Sequence, residues 1–423
     1  MAQKKKTAHI TIITIGSEIL SGKTLDTNSQ FITQTLKRHG FAVSKIVKIK
    51  DGAEEIESAL SNELRSANVV ITTGGLGPTF DDMTTASIAR YFGARLIFHQ
   101  EAWKSIRDYF KHKRVVLTKA RRAQAVLPEG CSIFKNIKGV APGIAMHDQG
   151  KHVLAMPGVP YEMEAMCESG VVPYLKRYFR SMAIQEVSIN TAGIAESSLE
   201  RKIRWYVRDH SNSSVQYGIY PRCGDVQVKI TVSGNNKRLV TATVERQRRA
   251  ISRLIKQHIY GYDNDSLPEV VLNAFRQKSK TLGVAESCTG GLIAKTITDI
   301  AGASRVFKGG VVTYSNDSKS GILNIPEGAI KKYGAVSGYV ARSLARGACR
   351  VFSADYGLGI TGIAGPGGGT AKKPVGLVYI AIADKNETRV FKYVFPGARD
   401  LVRMKAMKHA LFNILHLIQH TKD

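Results

Sequence analysis

At 423 residues, 43% of them apolar, the chain is too long for one ordinary domain and can bury a core in each of two or three. Its five cysteines, Cys131, Cys167, Cys223, Cys288 and Cys349, are scattered, odd in number and never spaced C-x-x-C, which argues against a disulfide framework or a zinc site and fits a reducing compartment. Lysine and arginine number 61 against 34 acidic residues, a formal charge of +27 that attracts anions.

Met1 to Lys6 followed by AHITIITIG reads as a basic tail and a first β-strand. The apolar run is short, rich in Thr and β-branched residues, and leads into Gly16-Ser17-Glu18 rather than a signal-peptide cleavage site. No apolar run approaches the roughly 18 residues that span a bilayer. A soluble, cytoplasmic protein without membrane contact is expected. An apolar strand, a Gly/Ser/Thr-rich loop and helical periodicity then follow one another at HITIITIGSEIL, ANVVITTGGLGPTFDD and TLGVAESCTGGLIAKTI. The pattern returns at YGLGITGIAGPGGGT, where PVGLVYIAIAD reads as a further strand instead of a helix. Such units build parallel α/β sheets whose ligands collect at the carboxyl ends of the strands. Two lie near each terminus, so the fold class is α/β, with two α/β domains.

In the first domain GGLGPT reads as an anion-binding turn, with Gly74, Gly75, Gly77 and Thr79 around a phosphate. Asp81 and Asp82 behind it, with Asp26, are candidate ligands for a divalent cation, although adjacent aspartates also commonly begin helices. The segments TIGSEILSGKTLDTNSQFI, the GGLGPT stretch and NIKGVAPG…MPGVPYEM resemble the MoaB/MogA-like, molybdopterin-binding type of domain as it occurs in CinA proteins. The resemblance assigns that domain to residues 1–170. It implies ADP-ribose pyrophosphatase activity with cobalt or magnesium, or else binding or adenylylation of a pterin. Val140 stands where threonine is expected, which removes one hydroxyl ligand.

Residues 171–260 change character. SVQYGIYP and GDVQVKITVSG alternate like half-buried strands, flanked by the charged helical stretches SSLERKIRWYVRDH and KRLVTATVERQRRAISRLIKQH. This is a small α+β module resembling the KH-like linker of the same family. It has no GXXG loop, so RNA binding is not inferred. The basic stretches 104–122 and 237–256 read as solvated faces; nucleic acid is not the expected partner, and the positive field suits phosphate-bearing substrates.

Turn residues in GYDNDSLPE mark the start of the last domain, 261–423, which opens on a helix from Leu267. In AESCTGG, Ser287 and Thr289 follow a buried strand at what reads as a helix start, where they either cap the helix or serve catalysis. Cys288 is a rival nucleophile. VVTYSNDSKSGILNI then delivers Tyr314, Asn316 and Lys319 into a loop. Ser337 begins a helix, Thr361 and Gly365 lie in TGIAGPGGGT, and Arg399 stands near the last helix start. Together these segments resemble, in order, the amidase domain of the CinA/PncC family, the nicotinamide mononucleotide deamidases.

That resemblance makes Ser287 the nucleophile and Tyr314 and Lys319 the proton-transfer pair. Thr289, Asn316, Ser337, Thr361, Gly365 and Arg399 line the substrate, with Thr361 and Arg399 on the substrate or its phosphate. Gly338 and Tyr339 replace an acidic residue usual after the helix-start serine. No histidine lies in these motifs, so a Ser–Lys arrangement is the chemical alternative to a histidine triad. Lysine works as a base only if burial or a neighbouring positive charge lowers its pKa toward neutrality; otherwise it stays charged and activates Tyr314. The expected function is therefore a nucleotide amidase needing no cofactor in this domain, with a homodimer implied by the family. The alternatives are a pterin enzyme in the first half, or a non-enzymatic competence- or damage-associated factor.

Overall fold

The computed structural model describes residues 5–79, 82–111 and 118–420, and the chain separates into two units, Met1–Ile184 with Ser233–Val240 and Gln185–Val232 with Thr241–Asp423. In the first, a six-stranded sheet runs in the order Val43–Ile49, Ile10–Ile15, Val69–Thr73, Lys151–Met156, Gly143–Asp148, Ser132–Phe134. The run ITIITI is buried throughout because it lies inside the sheet with both faces covered. Ile10 and Ile12 pack with Ile32 and Leu36 of the helix Thr27–Arg38. Ile13 and Ile15 point the other way, onto Ile56, Leu60 and Leu64 of Ala53–Ser66.

The second unit holds the small module and the last domain. The module's sheet has the order Val215–Arg222, Asp225–Gly234, Ala183–Ala192, Ile259–Tyr262. Its helices are Glu196–His210 and Lys237–Ile255. Asp225 accepts from the Tyr260 hydroxyl of the module's own sheet at 3.1 Å and anchors the module to the last domain through Lys408 at 2.8 Å.

The last domain's sheet runs Phe307–Val312, Leu282–Glu286, Tyr356–Gly362, Leu377–Ala383, Thr388–Val394. One face carries the helix Gly338–Phe352, brought very close by glycines. A Cβ on Gly357 would lie 2.0 Å from the Ala345 carbonyl oxygen, and one on Gly359 2.3 Å from the Ala345 nitrogen. The opposite face packs on Leu267–Gln277 and Arg399–His420.

Neither large sheet is wholly parallel, contrary to the strand–loop–helix reading. Four strands of the first and three of the second are parallel, and each sheet ends in two antiparallel strands. A parallel return needs a crossover of a dozen residues or more, usually a helix. Asp148 and Lys151 are instead joined by Gln149-Gly150, both left-handed (φ 47° and 79°), which is hairpin geometry. Gly362 reaches Leu377 through the Gly-rich turn with no helix between. Among the described residues no helix is long and apolar enough to cross a membrane.

Candidate active site

The strand Leu282–Glu286 has a parallel partner on each side, and the register sets Glu286 beside Val312 and Ile360. The loops beginning at Ser287, Thr313 and Ile363 therefore open at one edge, the carboxyl ends of three parallel strands. The Ser287 N–H donates to Ile360 at 3.1 Å and the Thr313 N–H to Glu286 at 2.8 Å. Ser287 is buried, and its hydroxyl has no hydrogen-bond partner among the described residues.

Neither Ser287 nor Thr289 caps a helix. The helix Leu292–Thr298 starts after two left-handed glycines, Gly290 (φ 60°) and Gly291 (φ 88°). Its first free N–H groups are taken by the buried Glu286 carboxylate, from Ile293 at 3.1 Å and Ala294 at 2.8 Å. The residue before the serine does the capping, which leaves the serine hydroxyl unused. Cys288 is buried too, and burial pushes its thiol up to about 12, so it stays protonated at neutral pH. The Thr289 hydroxyl is fully buried without a partner among the described residues. Its carbonyl accepts from Arg403, Nε at 3.2 Å and Nη2 at 2.8 Å. Among the described residues the N–H groups of Cys288 and Thr289 reach no carbonyl.

Asn316 and Lys319 lie not in a loop but on the helix Asn316–Leu323, capped by the Ser315 hydroxyl. Asn316 is exposed in its first turn. Lys319 is 1% exposed, and its ammonium donates to the carbonyls of Thr313 (2.8 Å), Ser315 (3.2 Å) and Tyr314 (3.3 Å). Burial pulls its pKa below the ordinary lysine value, while the three carbonyls favour the charged form. The Tyr314 side chain, 61% exposed, turns elsewhere: its hydroxyl accepts from Arg399 Nη2 at 2.8 Å, and Arg399 Nη1 donates to the Gly365 carbonyl at 2.8 Å. The structure thus joins Tyr314, Gly365 and Arg399 in one group and Lys319 to the turn before it, with no side-chain bond between Tyr314 and Lys319.

Two other expected substrate ligands are engaged by backbone. Ser337 caps the helix Gly338–Phe352, donating to Gly334 at 2.9 Å and accepting from Val340 at 3.3 Å. Thr361 is buried and donates to Ala335 at 2.9 Å. Both secure the turn that carries Ala335 and Val336. Lys373 holds the same turn from outside, reaching Val336 at 2.8 Å and Tyr333 at 3.0 Å.

In the first unit the glycine turn also sits at the carboxyl end of a parallel strand, Val69–Thr73. Gly74 (φ 112°) and Gly75 (φ 68°) are left-handed, and a Cβ on Gly74 would stand 2.3 Å from the Ile15 carbonyl oxygen. Asp82 closes the turn by accepting from the Thr79 N–H at 2.8 Å and from its hydroxyl. A Cβ on Gly77 would meet that carboxylate at 2.5 Å. Asp26 caps the helix Thr27–Arg38 through Ser29 N–H at 3.0 Å, and also accepts from Thr14 at 3.1 Å with Lys48 3.5 Å away. Burial alone would raise its pKa, but those donors and the lysine hold it below the ordinary carboxylate range. Asp81 lies outside the described residues. Asp26 and Asp82 are each committed to donors of the protein, and no group of three metal-ligating side chains forms among the described residues.

Three family models cover the chain: a "Probable molybdopterin binding domain" over residues 11–177, the damage-inducible protein CinA KH domain over 187–261, and the CinA C-terminal domain over 264–418. A CinA-like protein of Desulfovibrio desulfuricans is 39% identical over 405 residues, 95% of this chain and 94% of that protein. One from Kosmotoga olearia is 37% identical over 400 residues, 95% of this chain and 96% of that protein. The chain belongs to the CinA family. The crystal structure of the protein CinA from Thermoplasma acidophilum matches at 36% identity and a TM-score of 0.36, covering 40% of this chain and 97% of that one.

Three residues of this CinA chain do work that its motifs did not disclose. Glu286 lies inside AESCTGG, but a cap supplied from the end of a strand has no sequence signature. Arg403 follows Arg399 by four residues, so the two guanidiniums share one helix face, a spacing visible in RDLVR. Lys373 carried no signal. The two departures from the family pattern are absorbed by packing: Val140 lies partly buried against the first domain's core, and Tyr339 stacks on Tyr333 with ring centres 4.7 Å apart.

Proposed function

We propose that the last domain of this CinA protein hydrolyses the carboxamide of nicotinamide mononucleotide, releasing ammonia and nicotinate mononucleotide, with Ser287 as nucleophile. The observation that carries the reading is the Ser287 hydroxyl itself, on a buried residue yet without a protein partner among the described residues, at the carboxyl ends of three parallel strands. Two N–H groups without carbonyl partners follow it, and the ammonium of buried Lys319 bonds the neighbouring turn. Buried polar groups are normally satisfied. A serine hydroxyl without a protein partner, the buried unpaired Thr289 hydroxyl and two amides that bond no carbonyl together suit an incoming ligand.

Ser287 Oγ adds to the carboxamide carbon while its proton passes to a base. The oxyanion forms against the Cys288 and Thr289 N–H groups. The tetrahedral species collapses with that proton on the leaving nitrogen, so ammonia departs and an ester remains on Ser287. Water then adds to the ester, and the acid is released. Lys319 is the base in this reading, since burial already lowers its pKa and the Tyr314 hydroxyl is engaged by Arg399. Deprotonation leaves Lys319 two N–H donors for its three carbonyls and one lone pair for the Ser287 proton. Arg399 and Tyr314, exposed at the mouth, receive the phosphate.

The first domain is assigned a phosphate-bearing ligand at Gly74–Thr79, without a metal step. Ammonia release from nicotinamide mononucleotide tests the main reading: turnover by wild type and none by Ser287→Ala supports it, and an inert wild type rejects it. Cobalt-dependent ADP-ribose hydrolysis lost in Asp82→Ala would reinstate a metal in the first domain.

A further inference from the structure

We propose that Arg403 is a positioning residue that fixes the Thr289 carbonyl, and through it aims the Cys288 and Thr289 N–H groups at the oxyanion on Ser287; this rests on the Ser287 amidase reading. The loop Ser287–Gly291 is closed by one backbone bond of its own, from the Gly290 N–H to the Ser287 carbonyl at 3.1 Å. It ends in two left-handed glycines, and the buried Thr289 hydroxyl bonds to nothing among the described residues. What holds the middle of the loop is its carbonyl. The Thr289 oxygen accepts both Arg403 bonds and a longer one from the Leu292 N–H at 3.3 Å. Two donors of a rigid guanidinium fork on one oxygen restrict the plane of that peptide more than a single bond does. The Thr289 carbonyl shares its peptide plane with the Gly290 N–H, which donates to the Ser287 carbonyl, so the Arg403 bonds brace the turn that carries the Cys288 and Thr289 N–H groups.

Arg403 is well placed to hold a position. It projects from the helix Arg399–His420, anchored by buried Val402, Ala406, Met407 and Ala410. Its only acidic neighbour among the described residues, Asp400, is 3.7 Å away and 93% exposed, a weak competitor in water. The guanidinium's short bonds all go to the nucleophile loop. Arg399, one turn earlier, grips Gly365 and Tyr314. The first turns of one helix thus hold all three loops at the site.

The test uses the full chain with Arg403→Ala and Arg403→Lys beside wild type and Ser287→Ala. Two readouts are taken: ammonia release from nicotinamide mononucleotide, and the rate at which a fluorophosphonate labels Ser287, fluoride being displaced from phosphorus by the serine oxygen. For Arg403→Ala we expect kcat to fall about 100-fold, the scale of losing one oxyanion donor, with KM changed less than about threefold. Labelling should slow in parallel. Arg403→Lys, a single point charge, should fall between. Added guanidinium chloride should restore at least about tenfold of the Arg403→Ala rate and leave wild type unchanged; a loss caused by unfolding would not recover. An unaltered kcat, a rise in KM alone, or no rescue would overturn the assignment, the second by making Arg403 a substrate-phosphate ligand. If wild type labels at Ser287 but releases no ammonia, the substrate reading fails and Arg403 is still judged by labelling. If wild type does neither, both fall.

Discussion

Two loops in this protein begin the same way, at the carboxyl end of a parallel strand and rich in glycine, yet they differ in what they leave open. In the first domain the carboxylates around Gly74–Thr79 are spent on protein donors, although the Asn28 side-chain oxygen and the Thr72 hydroxyl stay buried without a partner among the described residues. Asp82 closes on Thr79, Asp26 on Ser29 and Thr14, and the Asn28 amide on Thr73 and Gly158. In the last domain the Thr289 hydroxyl is buried and unpaired and the Ser287 hydroxyl has no protein partner among the described residues, while Glu286 and Arg403 hold the loop from either side. The same motif grammar therefore yields a braced turn in one place and a reactive one in the other. Reactivity follows from where the capping is supplied.

The largest effect should come from Lys319→Met. If Lys319 carries the proton, kcat falls about 10²–10⁴-fold; a loss under tenfold would move the base elsewhere. Titration supplies a second check. Because burial disfavours the ammonium, the unfolded chain binds more protons just below the ordinary lysine value of 10.5. Wild-type stability should gain from this group as pH rises through that alkaline window, and Lys319→Met should lack the gain in chemical denaturation.

Next is Glu286→Ala, which strips the cap from two buried N–H groups. It should cost about 2 kcal/mol in denaturation of the second unit and slow labelling of Ser287. Unchanged stability would show that the cap is dispensable.

Much of this was legible in the residues. The four strand–loop units and the alternating strands of the module follow from periodicity, while Ser287, Lys319 and Arg399 are singled out by the resemblance to the CinA/PncC amidase domain. The helix-start serine Ser337 does cap its helix. What the residues hid is relational. That Glu286 rather than Ser287 caps the next helix depends on two left-handed glycines pushing the helix start to Leu292. That Tyr314 faces Arg399 instead of Lys319 depends on a strand ending at Val312 and a helix beginning at Asn316, so that side chains five residues apart diverge. The antiparallel edges depend on connections too short for a crossover.

Smaller effects sharpen the contrast from the other side. Asp26→Ala should cost about 1–2 kcal/mol through a lost cap and leave ammonia release unchanged. Its depressed carboxyl stabilises the fold above the ordinary value of 3.8, and that contribution is lost as pH falls through the lower folded value. Cobalt binding that disappears in this variant would contradict a purely structural role. Smallest of all is Cys288→Ala: a buried thiol that stays protonated does no chemistry, so turnover should stay within about threefold. Abolished turnover would hand the nucleophile's role to sulfur.

The central claim is that the unpartnered Ser287 hydroxyl attacks an amide. The most direct measurement is the mass of the full-length protein quenched during turnover of nicotinamide mononucleotide, with ammonia counted in the same sample. The account predicts ammonia release together with an acyl adduct on Ser287, and loss of both in Ser287→Ala. Ammonia released at the wild-type rate by Ser287→Ala would contradict it.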